Sequence, residues 1–153
     1  MPANPSAIVN DQPKDDITVV REFLGAMERL DLDAVIQLAS LNIKYQNVPL
    51  PPTQNRAQFE RVITAMGKYM TRFEVQYRVI EKRGNKVYTD RIDIAEGHGF
   101  RMDLRVQGTF VVQNGYVTEW IDRFSWLDLG KDVLASVPRI ARNVLTLIRS
   151  SRA

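Results

Sequence analysis

Residues 73–126 read FEVQYRVIEKRGNKVYTDRIDIAEGHGFRMDLRVQGTFVVQNGYVTEWIDRFSW, a stretch in which apolar and polar side chains largely alternate. Alternation with a period of two is typical of β-strands that bury one face. Three turn sequences divide the stretch: Gly84-Asn85, Gly97-His98-Gly99 and Asn114-Gly115. Since Asn-Gly and related pairs favour tight hairpins, the stretch predicts four antiparallel strands in succession.

Helical patterns precede and follow these strands. Apolar residues recur at helical spacing in four segments, residues 19–30, 32–38, 59–70 and 133–148. Asp15 or Asp16 is a suitable N-cap for the first of these helices, and Asn55 for the third. The last segment follows Gly130 and predicts an amphipathic C-terminal helix.

One more strand is predicted between the second and third helices. Ile43, Tyr45 and Asn47 alternate there with polar neighbours and share one strand face. The proline-rich segment 49–52 forbids continuation of the strand, because proline lacks a backbone N–H. Helices, a strand, a helix and then a meander of strands predict the α+β class, with helices on one face of a curved sheet.

The composition is that of a globular domain. The 153 residues suit one domain, and 44% are apolar and 25% charged. The net charge is only +3, and no segment alternates basic residues with aromatic ones, so no nucleic-acid partner is predicted. Because cysteine is absent, disulfides, a thiolate nucleophile and Cys-ligated metals are excluded.

The ends of the chain bear on location. Residues 1–15 are rich in Pro, Asn and Asp and predict a flexible leader, and residues 16–150 predict a single domain. The leader lacks the basic start and apolar run of a secretory signal, and no apolar run approaches the roughly 20 residues that cross a bilayer. The default expectation is a cytoplasmic protein without stable membrane association, although the basic C-terminal helix leaves a membrane-surface helix as an alternative.

Charged residues occupy strand positions where a plain core would carry apolar ones. Arg91 and Asp93 share one face of their strand, and Asp122 lies between Trp120 and Phe124 on one face of the last strand. An aspartate buried alone would be costly, and an inward arginine would offset that cost. The pattern leaves three interpretations open: a solvated face, a buried salt-bridge cluster that fixes register, or the polar end of an apolar ligand pocket.

Three separated motifs resemble those of the limonene-1,2-epoxide hydrolase family. They are Tyr45-Gln46-Asn47-Val48-Pro49-Leu50-Pro51-Pro52, Arg91-Ile92-Asp93 and Trp120-Ile121-Asp122. The resemblance implies a strongly curved six-stranded mixed β-sheet, with helices packed on its concave side to form a cone around a deep pocket, and a homodimer formed through the sheet. Ketosteroid isomerases and polyketide cyclases share this architecture, so function has to be argued from the site.

The resemblance also implies a role for five residues. Asp122 would be the general base that takes a proton from water, and Tyr45 and Asn47 would hold that water. Asp93 would be the general acid that protonates the epoxide oxygen, and Arg91 would position both carboxylates. The implied reaction is a one-step hydrolysis to a vicinal diol, without covalent intermediate, metal or cofactor. Base and acid must act together, because water is a poor nucleophile and an alkoxide a poor leaving group.

Strand parity and helix faces indicate which apolar residues would line the pocket. They are Met27, Met66, Met70, Val75, Leu104, Val106, Phe124 and Leu129, and Val137 could help to close the mouth. Each of them, taken alone, is more often ordinary core. Together with such walls, the resemblance implies a small, largely apolar, cyclic or terpene-like epoxide as the substrate. The sequence departs from the family pattern at Arg123 and Ser125, where tyrosine and aspartate are expected, which leaves the substrate range open.

Two other functions fit the same pattern. One is an isomerase or cyclase of this fold that uses one aspartate to remove a proton next to a carbonyl. The other is a non-catalytic binder of small hydrophobic molecules. His98, the only histidine, lies in a predicted turn and is given no role. With one histidine and no cysteine, neither a catalytic triad nor a zinc site is expected.

Overall fold

The structure, a computed structural model, describes residues 13–124. These residues form three helices and five strands. In chain order they are α1 (Asp16–Glu28), α2 (Leu32–Leu38), β1 (Ala39–Val48), α3 (Arg56–Tyr69), β2 (Met70–Arg83), β3 (Lys86–Gly97), β4 (Phe100–Gln113) and β5 (Tyr116–Phe124). Several predicted features lie outside the described residues. They are the predicted leader up to residue 12, Ser125, Leu129 and the predicted C-terminal helix with Val137.

Each helix begins at a side-chain cap. Asp15 accepts a hydrogen bond from the backbone N–H of Thr18 at 2.7 Å, and Asp31 caps α2 through the N–H of Ala34 at 3.2 Å. Asn55 caps α3 in the same way. These carboxylate and amide oxygens satisfy backbone donors that the first helical turn leaves unpaired. The predicted caps Asp15 and Asn55 are confirmed.

The strands form one mixed sheet in the order β1-β5-β4-β3-β2. β1 pairs with β5 in parallel, and the other pairs are antiparallel. The described residues thus form five strands rather than the six that the resemblance implies. The proline-rich segment ends β1, and three hairpins connect the four strands that use residues 70–124. Met70 begins β2 and does not extend the third helix.

The helices pack on one face of the curved sheet around an aromatic cluster. The ring of Trp120 lies 4.4 Å from that of Tyr45, 5.1 Å from Phe23 and 5.9 Å from Phe110, measured between centroids. Phe59 of α3 contacts the same cluster. Aromatic pairs at such distances contribute about 0.5–1.5 kcal/mol each beyond their burial. The cluster therefore fixes β1, β4 and β5 relative to α1 and α3.

The opposite face of the sheet carries exposed ion pairs. Arg72 bonds Glu96 at 3.1 Å, and Arg105 bonds Asp90 at 3.1 Å.

Within residues 13–124, no helix has the length and apolar character needed to cross a membrane. The same part of the chain contains no group of three or more His, Asp or Glu residues arranged to hold a metal ion.

Candidate active site

The strand register brings the five predicted catalytic residues together on the face that carries the helices. Asn47 of β1 lies opposite Asp122 of β5, and Asp122 lies opposite Gly108 of β4. Gly108 in turn lies opposite Thr89 of β3, two residues before Arg91. Because side chains two residues apart share a face, Arg91 and Asp93 point to the same side as Asp122.

Arg91 is the centre of this group and bonds three side chains. Its Nε donates to Asp93 Oδ1 at 2.9 Å, its Nη2 to Asp122 Oδ2 at 2.5 Å and its Nη1 to Thr89 Oγ1 at 2.8 Å. The planar guanidinium directs its donors along fixed directions, which holds each carboxylate against a different nitrogen. Arg91 is 0% exposed, Asp93 6% and Asp122 4%, so the solvated-face interpretation is wrong.

Burial and charge set the protonation of this cluster. Burial raises the pKa of Asp93 to about 6, although the adjacent Arg91 favours its ionised form. Burial alone would lower the pKa of Arg91, but the charges of Asp122 and Asp93 raise it above its ordinary value. Burial also raises the pKa of the Tyr45 hydroxyl. The cluster therefore combines a permanent cation with a carboxyl group, Asp93, that exchanges its proton near neutral pH.

Tyr45 and Asn47 form a hydrogen-bonded pair beside the carboxylates. Asn47 Nδ2 donates to the Tyr45 hydroxyl at 2.6 Å, and that hydroxyl donates to Met66 Sδ at 3.8 Å. A cavity of about 20 Å³ is lined by Tyr45, Asn47, Leu50, Pro51, Thr53, Val62 and Met66. A single water molecule needs about 10–15 Å³, so the pair lies next to a space that can hold one.

One carboxylate oxygen of the cluster is buried without a partner. Asp122 Oδ1 accepts no hydrogen bond from any residue between 13 and 124, whereas Oδ2 is bound by Arg91. A buried acceptor left unsatisfied costs about 1–3 kcal/mol. This oxygen is therefore available to accept a hydrogen bond from a bound molecule.

Gly108 is a site residue that the sequence reasoning missed. A Cβ placed on it would lie 2.2 Å from Arg91 Nη1, and 2.7 Å from both Asp122 Oδ1 and Thr89 Oγ1. Only a residue without a side chain leaves room for the guanidinium there. The signal was present in the sequence, because a glycine inside a strand often marks a close approach of other atoms.

Thr53 was also missed, and it holds the proline-rich segment against β1. Its Oγ1 accepts from the backbone N–H of Tyr45 at 3.0 Å, and its own N–H donates to the carbonyl of Tyr45 at 2.8 Å. Thr53 is buried. These two bonds fix the backbone from which the Tyr45 side chain projects, and no pattern in the sequence indicates them.

Gly108→Ala is expected to lower the free energy of unfolding by about 1–3 kcal/mol, because the added methyl group overpacks a buried site. The neighbouring guanidinium cannot move aside without giving up its three hydrogen bonds. Urea unfolding measures the effect.

Gly25→Ala in α1 is the matched control, since its Cβ would meet only Arg29 Nη1, at 3.5 Å. Alanine is favoured over glycine inside a helix by about 0.5–1 kcal/mol, so this control should be slightly more stable than the wild type. Equal stability of Gly108→Ala and the wild type would show that the guanidinium does not depend on this glycine.

The predicted pocket walls on the strands flank the charged cluster. Val75 and Leu104 lie opposite Asp93, Val106 lies opposite Arg91, and Phe124 lies opposite Val106. Register therefore places these four side chains next to the carboxylates, and their role as walls stays a prediction.

The predicted methionine walls lie in three different settings. Met27 is buried in the hydrophobic core, Met66 contacts the Tyr45 hydroxyl, and Met70 packs against the core at the start of β2. A larger groove of about 620 Å³ runs past Ala34, Gln37, Leu38, Arg56, Asn114, Gly115 and Tyr116. It shares no lining residue with the charged cluster, so we do not assign it to the same site.

The arrangement of helices and strands is the cone-shaped, ketosteroid-isomerase-like α+β fold. A protein with that fold from Catenulispora acidiphila aligns with a TM-score of 0.64 at 12% identity, covering 72% of this chain and 87% of its own. At that identity the likeness concerns the fold alone.

The family follows from sequence. Residues 14–135 match the model of the limonene-1,2-epoxide hydrolase catalytic domain, and the chain belongs to this family. Epoxide hydrolase EphG of Mycobacterium tuberculosis is 30% identical over 117 residues, which are 75% of this chain and 76% of that protein. The structure of an M. tuberculosis LEH-like epoxide hydrolase aligns with a TM-score of 0.70 at 27% identity, covering 83% of this chain and 95% of that one.

Proposed function

We propose that this protein adds water to a small, largely apolar epoxide, of the cyclic or terpene-like kind, and releases a vicinal diol. The observation that carries the proposal is the guanidinium of Arg91 bonded at once to Asp93, at 2.9 Å, and to Asp122, at 2.5 Å. Two carboxylates on one fixed cation can act as acid and base in the same transition state.

Asp122 is the general base in this proposal. Its Oδ2 is held by Arg91, and its buried Oδ1 has no partner among the described residues, so Oδ1 is free to accept a proton from water. Asn47 lies opposite Asp122 in the register and bonds the Tyr45 hydroxyl. These two side chains orient the water for attack on an epoxide carbon.

Asp93 is the general acid. Burial raises its pKa to about 6, which leaves a useful fraction protonated near neutral pH, unlike an ordinary aspartate. Its proton passes to the epoxide oxygen as the ring C–O bond breaks, while Asp122 takes a proton from the attacking water. Each of these transfers contributes about 10²–10⁴-fold to the rate. After the diol leaves, Asp122 carries a proton taken from the water, and Asp93 lacks the proton that it gave to the epoxide oxygen. Proton exchange with solvent then resets the pair.

The apolar surroundings suit a substrate of the same character. Val75, Leu104 and Val106 lie beside the cluster, and the Phe110 ring lies 5.8 Å from the Arg91 guanidinium. Charges act more strongly in such surroundings than in water. Met66, flexible and polarisable, is suited to accept varied hydrocarbon skeletons.

A single-turnover reaction in ¹⁸O-water, with enzyme in excess over limonene-1,2-epoxide or cyclohexene oxide, tests the proposal. We expect diol that carries one ¹⁸O atom in the first turnover, because water attacks the carbon directly. Unlabelled diol in the first turnover would instead indicate a covalent ester on a carboxylate. Mass spectrometry of the product measures the label.

A panel of cyclic and linear epoxides completes the test. If none yields diol, epoxide hydrolysis is excluded as the function for these substrates. Isomerised product or saturable binding without turnover would then favour the isomerase or cyclase and the binder, respectively.

We also propose a homodimer formed through the sheet and a cytoplasmic location. Neither a nucleic-acid partner nor a stable membrane association is expected. The proposed chemistry uses only side chains and the attacking water, without a cofactor.

A further inference from the structure

A third carboxylate approaches the acid from α1. Glu28, the last residue of that helix, accepts a hydrogen bond through Oε2 from the backbone N–H of Val75 at 3.1 Å. Val75 lies in β2, directly opposite Asp93. The Glu28 carboxylate is thus fixed to the backbone of the strand that flanks the proposed acid.

The hydrogen bond from the Val75 N–H to Glu28 satisfies a backbone donor of β2. Among residues 13–124, β2 lies at the edge of the sheet, so N–H groups on its outer side have no neighbouring strand there to bond, and α1 packs against it. The N–H of Val75 bonds Glu28 and is therefore directed away from β3. Val75 and Asp93 thus form an antiparallel pair without mutual backbone hydrogen bonds. In such a pair the side chains lie close together, with Cα atoms about 4.5 Å apart. Any neutral oxygen could satisfy this N–H, and the glutamate adds a negative charge.

That charge is not neutralised within residues 13–124. No ion pair in this part of the chain includes Glu28. The nearby cation of α1, Arg21, lies over the Tyr77 ring at 4.9 Å. Glu28 is exposed, so water screens its charge in part, but no bound counter-ion among residues 13–124 cancels it.

We propose that Glu28 is a positioning residue for the proposed hydrolysis, because its charge, held beside Val75, adds to burial in keeping the proton on Asp93 until the epoxide oxygen takes it. The inference rests on the proposed role of Asp93 as the acid. It concerns a residue outside the three motifs that identify the family.

The groups around Asp93 act in opposite directions. Burial raises the pKa of Asp93 most, Arg91 lowers it, and the charges of Asp122 and Glu28 both raise it. Tyr77 of β2 and Tyr45 of β1 are neutral, because burial raises the pKa of each hydroxyl. The facing side chains of β4, Leu104 and Val106, carry no charge. Glu28 and Asp122 are therefore the two anions that oppose Arg91, and only Asp122 is in direct contact with Arg91.

Glu28→Gln removes the negative charge but keeps the hydrogen bond, because glutamine retains an oxygen that can accept from the N–H of Val75. Glu60→Gln, at an exposed position of α3, is the matched control. The measurements are kcat/KM between pH 5 and 9 with an epoxide that the wild type hydrolyses, and a ¹³C-carboxyl NMR titration of Asp93. For the wild type, we expect the rate to fall as the pH rises through about 6, where Asp93 loses its proton.

In Glu28→Gln, the fall of kcat/KM with rising pH and the Asp93 titration should both move to lower pH. At pH values above this fall, kcat/KM should be roughly 1.5- to 5-fold below the wild type, as exposed charge interactions allow. At pH values below it, where Asp93 stays protonated, the two values should be equal. Glu60→Gln should match the wild type throughout.

A uniform fall at every pH would mean that Glu28 acts only through structure, and an unchanged profile would mean that its charge does not reach Asp93. Either result overturns the inference. If the wild type hydrolyses no epoxide, the proposed function fails, and the NMR titration still decides whether Glu28 affects the Asp93 proton.

Discussion

Asp122→Asn is expected to lower kcat for epoxide hydrolysis by about 10²–10⁴-fold, the contribution of a positioned general base. Asparagine is nearly the same size as aspartate and keeps an oxygen for Arg91 Nη2, which lies 2.5 Å from Asp122 Oδ2. It cannot take a proton from water. Steady-state kinetics measures the loss, and circular dichroism with thermal unfolding checks that the fold is retained.

Asp103→Asn is the matched control, because the Asp103 side chain is 56% exposed and pairs with the exposed Arg101. This control should hydrolyse the epoxide at the wild-type rate.

Asp93→Asn, by contrast, should be as inactive as Asp122→Asn, since an amide does not protonate an alkoxide. Near-full activity in either site variant would contradict its assigned role. An isomerase of this fold, which needs one aspartate, would lose activity in only one of the two.

Strand parity predicted which face of its strand each of Arg91, Asp93 and Asp122 occupies, but it left open whether these faces converge. Turn sequences fix where each strand begins, and side chains two residues apart share a face. The odd placement of Asp122 between Trp120 and Phe124 then favoured a buried face over a solvated one, and the aromatic cluster around Trp120 confirms the burial. The helix caps were readable for a similar reason, since capping is a local interaction.

Other parts of the site depend on packing that parity does not describe. β2 has register irregularities between Met70 and Arg72 and between Tyr77 and Val79, and a shift of one residue moves a side chain to the other face. The bond from Glu28 to Val75 joins residues 47 apart in sequence and exists only because α1 lies along β2. The need for glycine at position 108 appears only when the guanidinium is in place.

The number of strands also separates what the local sequence pattern predicts from what the family resemblance implies. Alternation and proline placement predicted five strands between residues 42 and 126, and five are present within the described residues. The sixth strand came from the resemblance and not from any alternating segment of this chain.

Arg91→Met is expected to lower the free energy of unfolding by about 3–5 kcal/mol at pH 7, the usual cost of removing one partner from a buried ion pair. Methionine fills much of the space of arginine but leaves Asp93 and Asp122 buried without a cation. Urea unfolding at several pH values measures the loss. Arg105→Met is the control, because Arg105 pairs with Asp90 at the surface and should change stability little.

The pH dependence of this loss has a definite sign. The pKa of Asp93 is about 6 in the wild type, above the ordinary 3.8, and it loses in Arg91→Met the guanidinium that favours its ionised form. A carboxyl whose pKa is raised by folding binds more protons in the native state than in the unfolded state. Stability therefore falls as the pH rises above about 4 and through the folded pKa. The deficit of Arg91→Met should be small near pH 4 and largest at pH 7–8.

Adding Asp93→Asn and Asp122→Asn to Arg91→Met should restore most of the lost stability and remove its dependence on pH. Replacing a whole buried ionic group by neutral residues is often neutral or stabilising, whereas breaking it is costly. If the triple variant stays as unstable as Arg91→Met, Arg91 contributes mainly through packing or through its bond to Thr89. If stability returns without activity, the two buried carboxylates and their arginine are dispensable for the fold, and their presence is explained by the chemistry that they perform.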